Sequence, residues 1–284
     1  MNKVVCTDLD GTLFYPKKRL QMFTKENRAF LRQVKANGDR VVLVTSRHLS
    51  FIKRVEKKLG FSVDCVGCDG GFVLINDRIV SEITFDPTAL KNLVKDLREQ
   101  YNPPLFLLAT RDHSFIMTKT LTSHITTFMY FAYEAVQGVY RERCTRSDHV
   151  FYNEIEKGAS YKLMMMVGLT KKKKAKAEQI TAQLTEQYPQ FNFMWLGEMI
   201  EITPKGCSKA DGLAFYLDFN KISHDNVHVV GDSGNDVPMF DRFHEHSYCM
   251  SHSPDSVKAH AAHVIHRVSD LKQVLYPSED SQSE

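Results

Sequence analysis

The sequence predicts an α/β protein: a core of parallel strands alternating with helices, interrupted once by a separate α+β block. Three observations carry this. Residues 1–70 alternate strand and helix signals in a βαβαβ order, which implies a parallel sheet with helices on both faces. The same rhythm returns after Pro204. Between the two, prolines and hairpin-like strand pairs replace it. The chain of 284 residues therefore divides into a core, 1–80 with 203–284, and an insertion, 81–202.

The elements follow from local chemistry. Lys3–Thr7 is a short apolar strand running into acids and a glycine. Thr24 can cap a helix whose Phe30, Leu31 and Val34 share a face, and Gly38 stops it. Arg40–Val44 is β-branched and leads directly into Thr45-Ser46-Arg47. Leu49, Ile52, Val55 and Leu59 are spaced for one helix face, which Gly60 ends, and Ser62–Gly67 reads as a third strand. In the insertion, punctuated by Pro87, Pro103 and Pro104, strands are expected at Leu105–Ala109, Ser114–Thr118 and Lys162–Val167. A helix capped by Thr170 is expected over Lys171–Tyr188, then a hairpin of Phe191–Trp195 and Met199–Thr203. After Pro204, Ser208 can cap a helix through Leu217, Val227–Gly231 is a buried strand, and Val264 and Ile265 form a last one. The polar, acidic tail Pro277–Glu284 is expected to be disordered.

Composition narrows the function classes. Hydrophobic residues make up 43% and charged residues 25%, which excludes disordered and fibrous chains. A net charge of +3 is too balanced to announce a nucleic-acid binder. No apolar run reaches the ~18 residues of a membrane helix. Residues 1–8 lack a long apolar stretch, so a cytoplasmic protein with its six cysteines reduced is expected, with no membrane partner.

Four features carry chemistry, each at a strand's C-terminal end or the start of the next helix, where ligands bind in open α/β sheets. In Asp8-Leu9-Asp10-Gly11-Thr12-Leu13, two carboxylates at i and i+2 can project toward one pocket, and the turn amides can form an anion nest. Like charges so close require a cation, so a hard metal such as magnesium is expected. Thr45-Ser46-Arg47 offers a hydroxyl and amides to a phosphate. Lys209 lies in the first turn of a helix, after Gly206-Cys207-Ser208. Gly231-Asp232-Ser233-Gly234-Asn235-Asp236 adds two carboxylates and an amide.

The segments DLDGTL, VLVTSR, KGCSK and VVGDSGNDVPMF together resemble the four motifs of the haloacid dehalogenase superfamily. The chain is most similar to the Cof-type sugar-phosphatase branch, which inserts an α+β cap between the second and third motifs. The resemblance implies a Rossmann-like core with a cap that closes over substrate. It implies magnesium and hydrolysis of small phosphorylated metabolites, sugar phosphates foremost. Asp8 would be the nucleophile, Asp10 the general acid and base, and Lys209 the neutralising cation. Leu9, Gly11, Thr45, Ser46, Arg47 and Asn235 would line the phosphoryl site. Asp8, the backbone carbonyl of Asp10, and Asp232 would hold the metal, with Asp236 supporting that shell or orienting Lys209. A phosphosugar mutase or phosphotransferase uses the same motifs, and a non-catalytic sugar-phosphate-binding protein is the alternative of another class. A monomer or weak homodimer is expected, with no nucleic-acid partner.

Two positions depart from the branch: Asp69 stands where Asn is frequent, and Ala210 where glycine is frequent. Lys205 competes with Lys209, but the spacing from Pro204-Lys205-Gly206 favours Lys209. Cys65-Val66-Gly67-Cys68 is one CxxC without a second pair, so a buried cysteine pair is preferred to a zinc or redox site. The histidines from His244 to His266 lack ligand spacing, and the run Lys171–Lys174 with Lys176 reads as a solvated face. Phe128, Tyr130, Phe131 and Tyr133 read as core of the insertion rather than a sugar platform. Arg111, Lys162 and Glu198 are candidates for substrate recognition within it.

Overall fold

The computed structural model describes residues 2–16, 22–121, 123–125, 127, 143–167, 171–197 and 199–277. Strand β1 (Val4–Thr7) is buried along its whole length, as a strand covered on both faces must be. Helix α1 (Lys25–Ala36) starts where Thr24 Oγ1 accepts from the Asn27 amide at 3.1 Å, and it buries Phe30, Leu31 and Val34. Strand β2 (Arg40–Val44) runs parallel to β1. Helix α2 (Leu49–Leu59) and β3 (Asp64–Gly67) complete the expected alternation, with β3 parallel to β2. Next come β4 (Phe72–Ile75), antiparallel to β3, and β5 (Arg78–Glu82). The sequence reading missed these two strands. Their signal was the turn Asn76-Asp77, both with positive φ, between two apolar runs.

The inserted segment holds α3 (Pro87–Tyr101), β6 (Leu105–Thr110), β7 (Ser114–Thr118), β8 (Arg143–Thr145) and α4 (Asp148–Glu156). It continues with β9 (Ser160–Met166), α5 (Lys171–Gln187), β10 (Phe191–Leu196) and β11 (Met199–Pro204). The sequence reading had not placed α3, α4 or β8. Asp86 caps α3 by accepting from the Ala89 amide at 2.8 Å, and Pro87 occupies its first turn. The six strands form one sheet in the order β10-β11-β9-β6-β7-β8, antiparallel except for β7 with β8. Leu90, Val94 and Leu97 of α3, Phe151 and Ile155 of α4, and Leu184 of α5 pack in one core with Phe106, Leu108, Leu163, Met165 and Ile202. The expected cap at Thr170, the aromatic run from Phe128 to Tyr133, and Glu198 lie outside the described residues.

The core resumes with α6 (Lys209–Asn220), β12 (Val227–Gly231), α7 (Val237–Arg242), β13 (Ser247–Met250), α8 (Asp255–Lys258), β14 (His263–Ile265) and α9 (Leu271–Leu275). Its sheet has the order β14-β13-β12-β1-β2-β3-β4-β5, parallel from β14 to β3. The chain leaves β1 toward β2 on one side and returns as β12 on the other. That reversal makes the carboxyl ends of β1, β2 and β12 the ligand-binding edge of such a sheet.

By contacts the chain forms two compact units: Met1–Ser46, Lys53–Val80 and Ser208–Glu284 in one, Arg47–Ile52 and Ser81–Cys207 in the other. The second unit extends beyond Ile202 because β11 runs to Pro204, and Cys207 O accepts from Asn192 Nδ2 and Thr203 Oγ1. The start of α2 groups with the insertion because Leu49 N donates to Arg111 O at 3.2 Å and Ser50 Oγ to Asp112 O at 2.7 Å.

Candidate active site

Asp8 directly follows β1, and its amide donates to Val230 O on β12 at 3.0 Å. The chain then turns tightly through Leu9–Leu13, with Leu13 N donating to Asp8 O at 3.2 Å. Gly11 makes this turn with φ +81, and a β-carbon there would lie 2.2 Å from Asp232 Oδ2. Both facts require glycine. The Leu9 side chain is fully buried, so it offers the turn only its main chain. Asp10 is exposed, whereas Asp8 is 4% exposed.

Lys209 enters from the first turn of α6, whose cap is Ser208, accepting from the Asp211 amide at 3.1 Å. Only 1% of Lys209 is exposed. Its Nζ donates to Asp8 Oδ1 at 2.8 Å, to Asp236 Oδ1 at 2.7 Å and to Asn235 Oδ1 at 3.4 Å. Lys205 is exposed, so Lys209 is the buried lysine of this site, and Ala210 beside it packs in the core.

The β12 loop supplies the remaining groups. Asp236 is fully buried; its Oδ2 accepts from the amides of Asp232 at 2.9 Å and Ser233 at 3.0 Å. With Oδ1 on Lys209, both of its oxygens are engaged. Asp232 Oδ1 accepts from Thr12 Oγ1 at 2.8 Å, a contact the sequence reading had not assigned. His252, also unassigned, lies 3.9 Å from Asp232 Oδ2 and stacks on Tyr15. Its position on the β13 loop, a strand-end loop like the others, was the available signal.

Thr45 and Ser46 follow β2 at the same sheet edge. Thr45 is buried, its amide donates to Val66 O, and its carbonyl accepts from Asp69 N. Arg47 groups with the second unit, its guanidinium 4.6 Å from the Phe51 ring. Thus Asp8, Lys209, Asp232, Asn235 and Asp236 converge through side chains, whereas Thr45 and Ser46 join through the shared strand edge.

Burial, together with Asp236, Asp232 and Asp10, holds the Asp8 carboxyl well above the usual range, although Lys209 pulls it down. Burial and Asp236 push Asp232 up to about 6. Burial works against the Lys209 charge, but Asp236, Asp8 and Asp69 outweigh it and keep the ammonium protonated. Carboxylate oxygens of Asp8, Asp232 and Asp236 all lie within 4.8 Å of one another. An all-oxygen donor set with excess negative charge fits a hard divalent cation such as magnesium.

The other sequence candidates resolve differently. Cys65 and Cys68 are fully buried, and burial pushes the Cys65 thiol well up. Among the described residues, no group of three histidines, cysteines or acids besides Asp8, Asp232 and Asp236 is placed to hold a metal. Arg111 is held by both oxygens of Glu82 at 2.7 Å, and Lys162 pairs with Glu201 at 3.1 Å in a buried ion pair.

A family profile for haloacid dehalogenase-like hydrolases matches residues 5–275. YkrA of Bacillus subtilis (strain 168), which carries a provisional phosphatase name, is 21% identical over 241 residues, 84% of this chain and 83% of its own. A Buchnera aphidicola protein with a similar provisional name is 23% identical over 242 residues, 85% and 84% of the two chains. A haloacid dehalogenase-like hydrolase from B. subtilis superposes with a TM-score of 0.79 at 20% identity, covering 96% of this chain and 99% of that one. The HAD subclass IIB sugar phosphatase BT4131 does so with a TM-score of 0.73 at 14% identity, covering 96% and 99%. The chain belongs to the haloacid dehalogenase-like hydrolases, and among them to the Cof type. No helix among the described residues is long and apolar enough to cross a membrane.

Proposed function

We propose that the protein is a magnesium-dependent phosphatase that hydrolyses small phosphorylated metabolites, sugar phosphates foremost, through an aspartyl-phosphate on Asp8. The observation that carries this reading is the Lys209 ammonium held at 2.8 Å from Asp8 and 2.7 Å from Asp236. The relatives named as phosphatases, and the superposed sugar phosphatase, support the substrate class.

In the first half-reaction an Asp8 oxygen attacks phosphorus and the bond to the leaving oxygen breaks. Asp10 gives that oxygen a proton. In the second, Asp10 takes a proton from water, which attacks phosphorus, and inorganic phosphate leaves with Asp8 restored. Covalent catalysis divides one difficult displacement into two, and proton transfer contributes about 10²–10⁴-fold. Lys209 offsets charge on Asp8 and the phosphoryl group. The turn amides around Gly11, the hydroxyl and amides of Thr45 and Ser46, and the Asn235 amide bind its oxygens. Asp8, the Asp10 carbonyl and Asp232 would hold magnesium, and Asp236, its oxygens already engaged, keeps Lys209 in place. The bound cation would neutralise carboxylates that would otherwise repel a phosphate dianion.

The test is release of phosphate from p-nitrophenyl phosphate with magnesium. Asp8→Asn and EDTA each abolish it. Substantial turnover by Asp8→Asn overturns the mechanism. With a hexose phosphate the product is free phosphate; a shifted isomer identifies a mutase instead.

A further inference from the structure

Among the buried acids that these roles leave unexplained, Asp69 lies against the site itself. It is 3% exposed, in the turn after β3, with φ +56, a conformation unusual for a residue other than glycine. It does not belong to the cluster of possible metal ligands. Its surroundings hold it tightly. The Asp69 amide donates to Thr45 O at 3.1 Å. A β-carbon on the following Gly70 would lie 2.2 Å from Ser208 O, so this turn presses directly on the cap of the helix that carries Lys209.

Asp69 Oδ1 accepts from Asn235 Nδ2 at 3.0 Å, and Asn235 Oδ1 in turn accepts from Ser233 Oγ at 2.7 Å and Lys209 Nζ at 3.4 Å. An ionised carboxylate is an acceptor only. If the Asn235 amide flipped, its oxygen would face the Asp69 carboxylate and its NH₂ would face the lysine ammonium. Both contacts are repulsive. An asparagine at position 69 would leave that choice to Lys209 and Ser233 alone, since its own amide can present either an oxygen or an NH₂ to Asn235.

We propose that Asp69 is a positioning residue: through Asn235 it fixes the acceptor that completes the hydrogen-bond shell of Lys209. The β3 turn thereby joins the β1, β2 and β12 loops and the start of α6 in building the site. A buried negative charge costs stability unless compensated, which accounts for its seat beside a donor amide and within the field of Lys209.

This inference rests on the proposed phosphatase reading for its kinetics but not for its geometry, so two experiments are paired. In ¹⁵N spectra the Asn235 side-chain amide, assigned by its loss in Asn235→Asp, exchanges slowly with water in the wild type. In Asp69→Ala it exchanges at least about tenfold faster, while backbone amides of β1 and β12 keep their protection. Unchanged side-chain exchange in Asp69→Ala overturns the proposal whether or not any phosphate ester is hydrolysed.

In turnover, Asp69→Ala lowers kcat about 10- to 100-fold, as misplacement of a catalytic group does, and leaves KM unraised. Asp69→Asn recovers part of the loss. The double variant with Asn235→Ala is no slower than Asn235→Ala alone, because Asp69 acts through that residue. Additive losses, or a raised KM at constant kcat, overturn the proposal. Absence of wild-type turnover on any phosphate ester overturns the phosphatase reading and leaves the exchange result to decide the role of Asp69.

Discussion

Gly11 and Asp232 approach so closely that a β-carbon on the glycine would lie 2.2 Å from the carboxylate Oδ2. The loops after β1 and β12 are thus packed backbone against side chain, and the position of Asp232 depends on a missing methyl group 221 residues earlier in the chain, 232 minus 11.

Gly11→Ala is therefore expected to displace Asp232 and to strain a residue with φ +81. The left-handed conformation alone costs about 1–2 kcal/mol for an L side chain. Magnesium affinity by titration calorimetry and kcat/KM fall together, while urea denaturation registers a smaller loss. An alanine variant with unaltered metal affinity would show that Asp232 does not need this approach.

Asp236→Ala removes one partner of a fully buried charge pair and orphans two backbone amides. Breaking such a pair costs about 3–5 kcal/mol. The expected result is that loss in chemical denaturation together with loss of turnover, since Lys209 no longer has its second carboxylate. Asp236→Asn keeps the shape but not the charge and falls between the two.

Within the inserted unit, Lys162 and Glu201 form a buried ion pair 3.1 Å apart, each no more than 5% exposed at its side chain. Lys162→Met alone leaves a carboxylate buried without its cation and is expected to cost about 3–5 kcal/mol, whereas Lys162→Met with Glu201→Leu is near neutral. Denaturation curves of the three proteins check this. A double variant as unstable as the single one would show that the pair itself stabilises the fold.

His228 provides the pH dependence. Burial, then His246, Lys3 and His263, push its imidazole down to about 4, against a smaller opposing pull from Asp39. The unfolded chain titrates near 6.5, so the folded state binds this proton less readily than the unfolded one. Stability from this group is complete above about pH 6.5 and is lost as pH falls from there toward about 4. The melting temperature of the wild type should therefore drop more between about pH 7 and about pH 4.5 than that of His228→Phe. Parallel curves would show that His228 is not the responsible group.

Much of the core was legible because its signals are local. Thr24 and Ser208 cap their helices as their positions imply, since a cap joins residues three apart. Arg40–Val44 and Val227–Gly231 occupy the strands their continuous apolar character predicted. Asp8, Lys209 and Asp232 each follow a strand or open a helix, so turn chemistry marked them. The hairpin of β4 and β5 escaped because its turn is Asn-Asp rather than a pair with glycine.

Long-range partnership was beyond such signals. The sequence contains Asp69, Thr12 and His252 without indicating that Asp69 meets Asn235, that Thr12 donates to Asp232, or that His252 lies beside it. The same is true of Asp236, whose choice between metal and lysine is set by which donors the folded loops bring to its two oxygens. Residue types and turn positions determine what each group can do. Only the packing of loops from distant strands determines which groups share one buried charge, because burial and Coulomb energy depend on distance in space and not along the chain.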